Sequence, residues 1–409
     1  MAGPLGSMPT LPRDVARSKP LDEAESERAA KTAKALMVRR MASEILAERL
    51  DCDGFDDEDY DDDEEDDEED NDDDVAVEVD EKEEEWWQRL QQLEIHYGPE
   101  LAARDLEAEK RILDYDPKQG GVYHTRLHHV YDLASFDLDE ESPLPPMRFT
   151  DVVYKNNSDF ELCEAVNILS VKMGSLDIDF PIHVYGTVIA RDSLDKKCVY
   201  LFRCDREDSQ TINSKDESLI LTGPKRGLAL ISDTYVETNL MIKGDELQQD
   251  RELSKGILTI QGTERLAFRN CVLESCSLAT RLSTVDVVYG VVKDAVEATI
   301  SVEVLAGEYF GEITACTSSI KNRLVLHDSR LTHNASGQNI APPVIPLLRS
   351  VVAVYVKEML LLTIAAHTDD GEIKKCIDYT PRVNGSNLDL ITVGATTLSV
   401  RVVWSIIDF

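Results

Sequence analysis

Between His183 and Gly244 the chain reads as short strands joined by turns, and this alternation limits the fold more than any other feature of the sequence. Val184, Gly186 and Val188 share one face of an extended segment, and Cys198, Tyr200 and Phe202 repeat the pattern after the turn Asp192-Ser193-Leu194-Asp195. The spacing predicts a hairpin. Thr222-Gly223-Pro224 then breaks the chain before Leu228–Ile231, and Val236, Thr238, Leu240 and Ile242 alternate with Glu237, Asn239, Met241 and Lys243. One wet face and one buried face favour antiparallel over parallel pairing.

A diverged copy of this pattern follows. Val287–Val292 echoes Val184–Val188, Arg323–Asp328 echoes Ser218–Gly223, and the run from Ser350 echoes the run from Ala229. The two stretches are either related copies or two independently strand-rich halves. In both cases the expected fold is all-β, an antiparallel β-sandwich. Val296, Ala298, Ile300, Val302 and Val304 are expected to face inward, with Glu297, Thr299, Ser301 and Glu303 in solvent. Leu398, Val400, Val402, Trp404 and Ile406 predict a final core strand, packed where Gly256–Ile260 sits in the first copy.

Ahead of this domain the composition shifts. The formal charge of −36 comes mostly from Asp51–Glu85, which holds 25 acids and one lysine. Such a run has too little apolar surface to offset chain entropy, so a disordered acidic segment is expected over 51–80. Residues 22–50 carry Ala30, Ala33, Met37, Met41, Ile45 and Leu46 at helical spacing and predict an amphipathic helix. Residues 81–115 predict a helical segment with Trp86, Leu90, Leu93 and Tyr97 on one stripe, 116–146 a linker, and 147–409 the β domain. Residues 1–21 are set aside as a disordered tail, because Gly3–Met8 reads as the remnant of a cleavable tag.

The sequence assigns no catalytic, cofactor or metal residues, and no cofactor. His124, His128 and His129 share a helix-like spacing but lack the glutamate of a metalloprotease motif, and Cys271 and Cys276 have no second pair to complete a zinc site. Asp192, Asp195, Asp205 and Asp208 form a weak calcium candidate at one end of a hairpin. Lys196, Lys197, Lys225 and Arg226 form a candidate basic patch that the acid run could cover. Gly223–Gly227 lacks P-loop spacing, and no Gly-x-Ser-x-Gly elbow occurs. With neither an apolar leader nor a span near 18 apolar residues, a cytoplasmic or nuclear chain with reduced cysteines and no membrane partner is expected.

Four motifs in order carry a resemblance: Pro146–Asp151, Val184–Asp195, Leu221–Pro224 and Val403–Ile406. Over about 147–409 the chain resembles a grass-specific plant domain family of unknown function. It is also similar to the C-terminal part of a jasmonate-induced protein whose N-terminal part is a ribosome-inactivating rRNA N-glycosidase. The resemblance implies a stress or defence setting and no activity of its own. Glu100 and Arg104 miss the glycosidase spacing by one residue. The expectation is a non-enzymatic protein-interaction module, with an acidic arm suited to basic proteins. The alternatives are an enzyme of unrecognised class or an RNA- or ribosome-associated factor, and nucleic acid ranks below protein as a partner because the net charge has the wrong sign. Enzymatic activity and oligomeric state are left open.

Overall fold

The computed structural model describes residues 104, 107–130, 132–262, 270–332, 344–368 and 371–408. The chain divides into Met1–Lys110 and Arg111–Phe409. In the first unit the described residues 107–110 are helical, with Lys110 paired to Glu107 at 3.3 Å. The expected helix over 22–50, the acidic segment over 51–80 and the tail over 1–21 lie outside the described residues.

The second unit opens with a hairpin, β1 (Leu113–Asp116) and β2 (Gly121–His124). A first set of strands follows: β3 (Ala165–Leu176), β4 (Ile182–Arg191), β5 (Val199–Cys204), β6 (Gln210–Ile212), β7 (Leu228–Ala229), β8 (Thr234–Ile242), β9 (Arg251–Ile260), β10 (Val272–Thr280) and β11 (Ser283–Val292). The second set is β12 (Ala295–Ala306), β13 (Gly311–Thr317), β14 (Leu324–Asp328), β15 (Val351–Tyr355), β16 (Leu360–Thr368), β17 (Gly371–Tyr379), β18 (Ser386–Val393) and β19 (Thr396–Ile406). All ladders between these strands are antiparallel.

In the first half the sheets run β10-β11-β3-β7 and β5-β4-β8-β9, with the short β6 added to β4. The sheets of the second half run β18-β19-β12-β15 and β14-β13-β16-β17. With β6 left out, each half has eight strands, and the first to the eighth occupy the same positions in both. The described strands from Ala165 to Ile406 therefore form two sandwiches of one topology, each with its own core. Val171, Val188, Leu201, Val236, Leu253 and Val287 belong to the first core; Val302, Ile313, Leu326, Leu362, Val400 and Trp404 belong to the second. β3 faces both: Val166 and Ile168 enter the first core, while Ala165 and Leu169 enter the second.

This topology corrects the register of the sequence echoes. The run from Ser350 does match the run from Ala229, since β15 and β16 are the counterparts of β7 and β8. Val287–Val292, however, lies in β11, the last strand of the first half, and β4 corresponds to β13. Likewise β14 corresponds to β5, and the final strand β19 corresponds to β11 and not to Gly256–Ile260 in β9. Alternation reports which face is buried; it does not index a strand within a sheet.

The segment expected as the end of a helical stretch and a linker belongs to the second unit. Residues 113–116 are strand, Leu127 is fully buried, and Glu140 and Ser142 pair with Cys198, just before β5. Its acidic and proline-rich composition hid this docking, because the contacts are made by backbone and ionic groups more than by an apolar stripe.

Two polar side chains join the halves at β3. Asn167 donates to the Ala353 carbonyl at 2.7 Å and accepts from its N–H at 2.9 Å, standing in for a strand between β3 and β15. Arg349 donates to the carbonyls of Ile168 and Leu169. Burial without a carboxylate partner pushes its pKa down to about 10.

The inward set on β12 is buried as expected at Val296, Ala298, Ile300 and Val302, and Trp404 is fully buried with its indole N–H donating to Asn387. Replacing Val302 with Asp should destabilise the protein by more than about 3 kcal/mol, since a core side chain is lost and a carboxylate is buried unpaired. Ser301→Asp, on the exposed face, should change stability by less than about 0.5 kcal/mol. Urea melts of the two variants check the register of β12.

Candidate functional site

The residues around Arg191 form a buried polar cluster. β4 ends in Arg191 and Asp192 follows it, both wholly buried. The Arg191 guanidinium donates to Glu237 of β8 at 2.6 and 3.1 Å and to the carbonyl of Lys196. Arg226 donates to both oxygens of Asp192, to Asp195 at 3.3 Å and to the Ser142 hydroxyl. Asp192 also accepts from the N–H of Ala229 at 2.9 Å. Glu297 of β12 closes the cluster. It accepts from the N–H of Gly227 at 2.6 Å and from that of Met147 at 2.7 Å, so it ties the second half to the first and to the preceding segment. Burial pushes its pKa up, while these hydrogen bonds oppose the shift. Alternation along β12 places Glu297 in solvent; it does face outward from its sheet, but Met147 and Gly227 cover it.

Each acid and base of this cluster has an internal hydrogen-bond partner, so the cluster braces the fold. The candidate basic patch is engaged in the same way. Lys196 donates to the carbonyl of His129, Lys197 pairs with Glu140 at 2.6 Å, Lys225 pairs with Glu141 at 2.7 Å, and Arg226 is buried. Beside the cluster a cleft of about 120 Å³ lies among Arg126, Asp139, Tyr200, Glu237, Asn239 and Lys255. That volume suits a few waters and not a metabolite.

The other candidates are dispersed. Asp192 and Asp195 lie at the turn between β4 and β5, whereas Asp205 and Asp208 follow the far end of β5. His124 and His128 stack face to face, 3.6 Å apart and within 9° of parallel, so their nitrogens point along parallel planes and do not converge on one ion. Among the described residues no group of three His, Cys, Asp or Glu side chains could hold a metal. Burial pushes the Cys271 thiol up and the Cys276 thiol to about 11, the reverse of what a nucleophile needs.

A histidine and a serine meet at the end of β14. The ring of His327 lies 3.0 Å from the Ser329 hydroxyl and 2.9 Å from the Pro346 carbonyl. Serine and histidine two residues apart are the only sequence sign of it. The hydroxyl is buried and already accepts from the Gly311 N–H, so the pair braces the end of β14. A larger, open groove of about 420 Å³ is lined by Tyr154, Asn156, Phe160, Leu162, Val356 and Val383, with the two aromatic rings 5.0 Å apart. It holds no acid–base pair.

The remaining feature is a surface. β17 and β18 are each an end strand of one sheet of the second half, so each has a backbone edge with no neighbouring strand among the described residues. β17 is exposed over 371–376, and β18 exposes Leu388 and Leu390 by 64% and 68%, with Ile373 at 44% on β17. Edge strands carrying exposed leucines invite pairing unless something covers them.

The buried pair predicts a definite coupling. Arg226→Met leaves Asp192 charged and buried without its cation, at a cost of roughly 3–5 kcal/mol. Adding Asp192→Asn removes that charge and should recover at least about 1 kcal/mol. Strictly additive losses in urea melts would contradict a coupled ion pair.

Among the described residues no helix is long and apolar enough to cross a membrane. No curated protein matches the chain. A family model described as a domain of unknown function, DUF6598, matches residues 165–402, from the first residue of β3 to within β19 and so across both sandwiches. The chain belongs to the DUF6598 family.

Proposed function

We propose that the protein is a non-enzymatic protein-interaction module, and that the β17/β18 edge is its docking surface. The observation that carries this reading is the pairing of two exposed leucines with unpaired strand edges in a molecule whose ionic clusters are otherwise engaged internally. An extended peptide added to such an edge gains main-chain hydrogen bonds for affinity and side-chain contacts for specificity. The resemblance to a grass-specific plant family and to a jasmonate-induced protein supports placing the module in plant stress or defence responses, in the cytoplasm or nucleus. The acid run over 51–85 adds a second mode, salt-sensitive capture of basic proteins.

The test uses the full-length chain. A partner is captured from plant extract, purified, and titrated against the unmodified protein and the double variant Leu388→Asp/Leu390→Asp. The account expects binding to weaken by about tenfold or more with an unchanged melting temperature. A partner that binds both proteins equally, at low and high salt alike, would contradict it.

A further inference from the structure

The open groove of about 420 Å³ lies where the chain entering β3 passes loops of the second sandwich. Leu162, Val356 and Val383 form its aliphatic wall, and all three pack against the second core. Hydrogen bonds fix the segments that carry them. The Val356 N–H donates to the Asp294 carbonyl at 3.2 Å, the Gly385 N–H to the Thr150 carbonyl at 3.1 Å, and the Asn384 amide to the Val152 carbonyl. The groove is therefore preformed, as small-molecule sites usually are, and its volume falls in their range of roughly 300–1,000 Å³.

Two aromatic rings complete the apolar lining. Tyr154 and Phe160 stand 5.0 Å apart with their planes at 58°. Asp159 holds the loop between them, its carboxylate accepting from the N–H groups of Asn156 at 3.0 Å and Lys155 at 2.7 Å. Those bonds lower its pKa and commit its charge to the loop backbone. The Tyr154 hydroxyl is withdrawn from water and has no hydrogen-bond partner among the described residues. Burial pushes its pKa up, so it remains a proton donor at neutral pH. An orphan donor in the wall of a groove is a group that a bound acceptor would satisfy.

Charge selects the head group. None of the residues lining the groove is acidic, and Lys155 is the one lining residue that carries a charge. It is exposed and makes no ion pair among the described residues. The chain neighbours of the lining residues add two bases, Lys357 and Arg382, and, besides Asp159, one acid, Glu161. The rim is locally basic in a chain whose net charge is −36.

We infer that this groove binds a small amphipathic carboxylate. Its apolar, ring-bearing body lies against Tyr154, Phe160 and the aliphatic wall, and its carboxylate meets Lys155 and the Tyr154 hydroxyl. An amine of the same shape loses the ion pair and is repelled by Lys155. None of these residues belongs to β17 or β18, so the site goes beyond the docking edge proposed above.

2-Naphthoate, 2-naphthamide and 2-naphthylmethylamine present one ring system with a negative, a neutral and a positive head. Each is titrated calorimetrically against the full-length chain, and amide exchange locates the site. The carboxylate should bind about tenfold or more tightly than the other two and slow exchange within 154–162. Lys155→Glu should abolish that preference and Lys155→Arg should keep it, both with an unchanged melting temperature, because the residue is exposed. Phe160→Ala should weaken all three probes alike. Equal binding of the three, no binding of the carboxylate at millimolar concentration, a preference that survives Lys155→Glu, or protection confined to other segments overturns the inference.

Discussion

A guanidinium or carboxylate taken out of water costs several kcal/mol unless a partner of opposite charge is held against it in good geometry. Asp192 and Arg226 meet that condition only if the β4–β5 turn and the loop before β7 are brought together, although they lie 34 residues apart in the chain. Arg191 and Glu237 impose the same condition on β4 and β8. Glu297 extends it to the second half, since its two oxygens need the N–H groups of Gly227 and Met147. Misregistration of any of these segments strands a buried charge. The cluster thus specifies how the first sandwich, the second sandwich and residues 126–147 come together, in addition to whatever net stability it contributes.

Around this fixed point the halves have the same wiring and different cover. The first sandwich has its β9/β10 flank sealed by Thr280 and by the β1–β2 hairpin. In the second, β18 carries exposed leucines. A fold duplicated in topology need not be duplicated in surface, because strand order is set by the core residues, while the flank side chains and the covering segment are free to differ. The open flank is a liability for a lone protein and an asset for one that docks partners.

Much of this fold was legible in the sequence, because strands buried on one face advertise themselves by alternation. β12 and β19 show it most clearly, from Val296 to Val302 and from Leu398 to Trp404. What alternation lacks is an address. Val287–Val292 looked like Val184–Val188 because both are buried strands, yet they hold different positions in the sheets. β7, two residues long, offers no period at all. The ionic cluster was hidden for another reason. Asp192, Asp195 and Arg226 were visible as an acidic turn and a basic patch, but nothing in a linear sequence states that the turn and the patch neutralise each other. The hairpin at 113–124 was hidden by its polarity, since it docks through Asp114, Asp116 and Tyr123 and not through an apolar stripe.

The measurement that bears most directly on this account is backbone amide exchange in the free full-length protein, compared between the two flanks. If the second flank is uncovered, outward-pointing amides of β17 and β18 exchange rapidly, while those of β9 and β10, sealed by hydroxyls and hairpin, are protected by comparison. Equal protection of the two pairs of strands would mean that the second flank is already occupied, and would contradict the docking surface at its foundation.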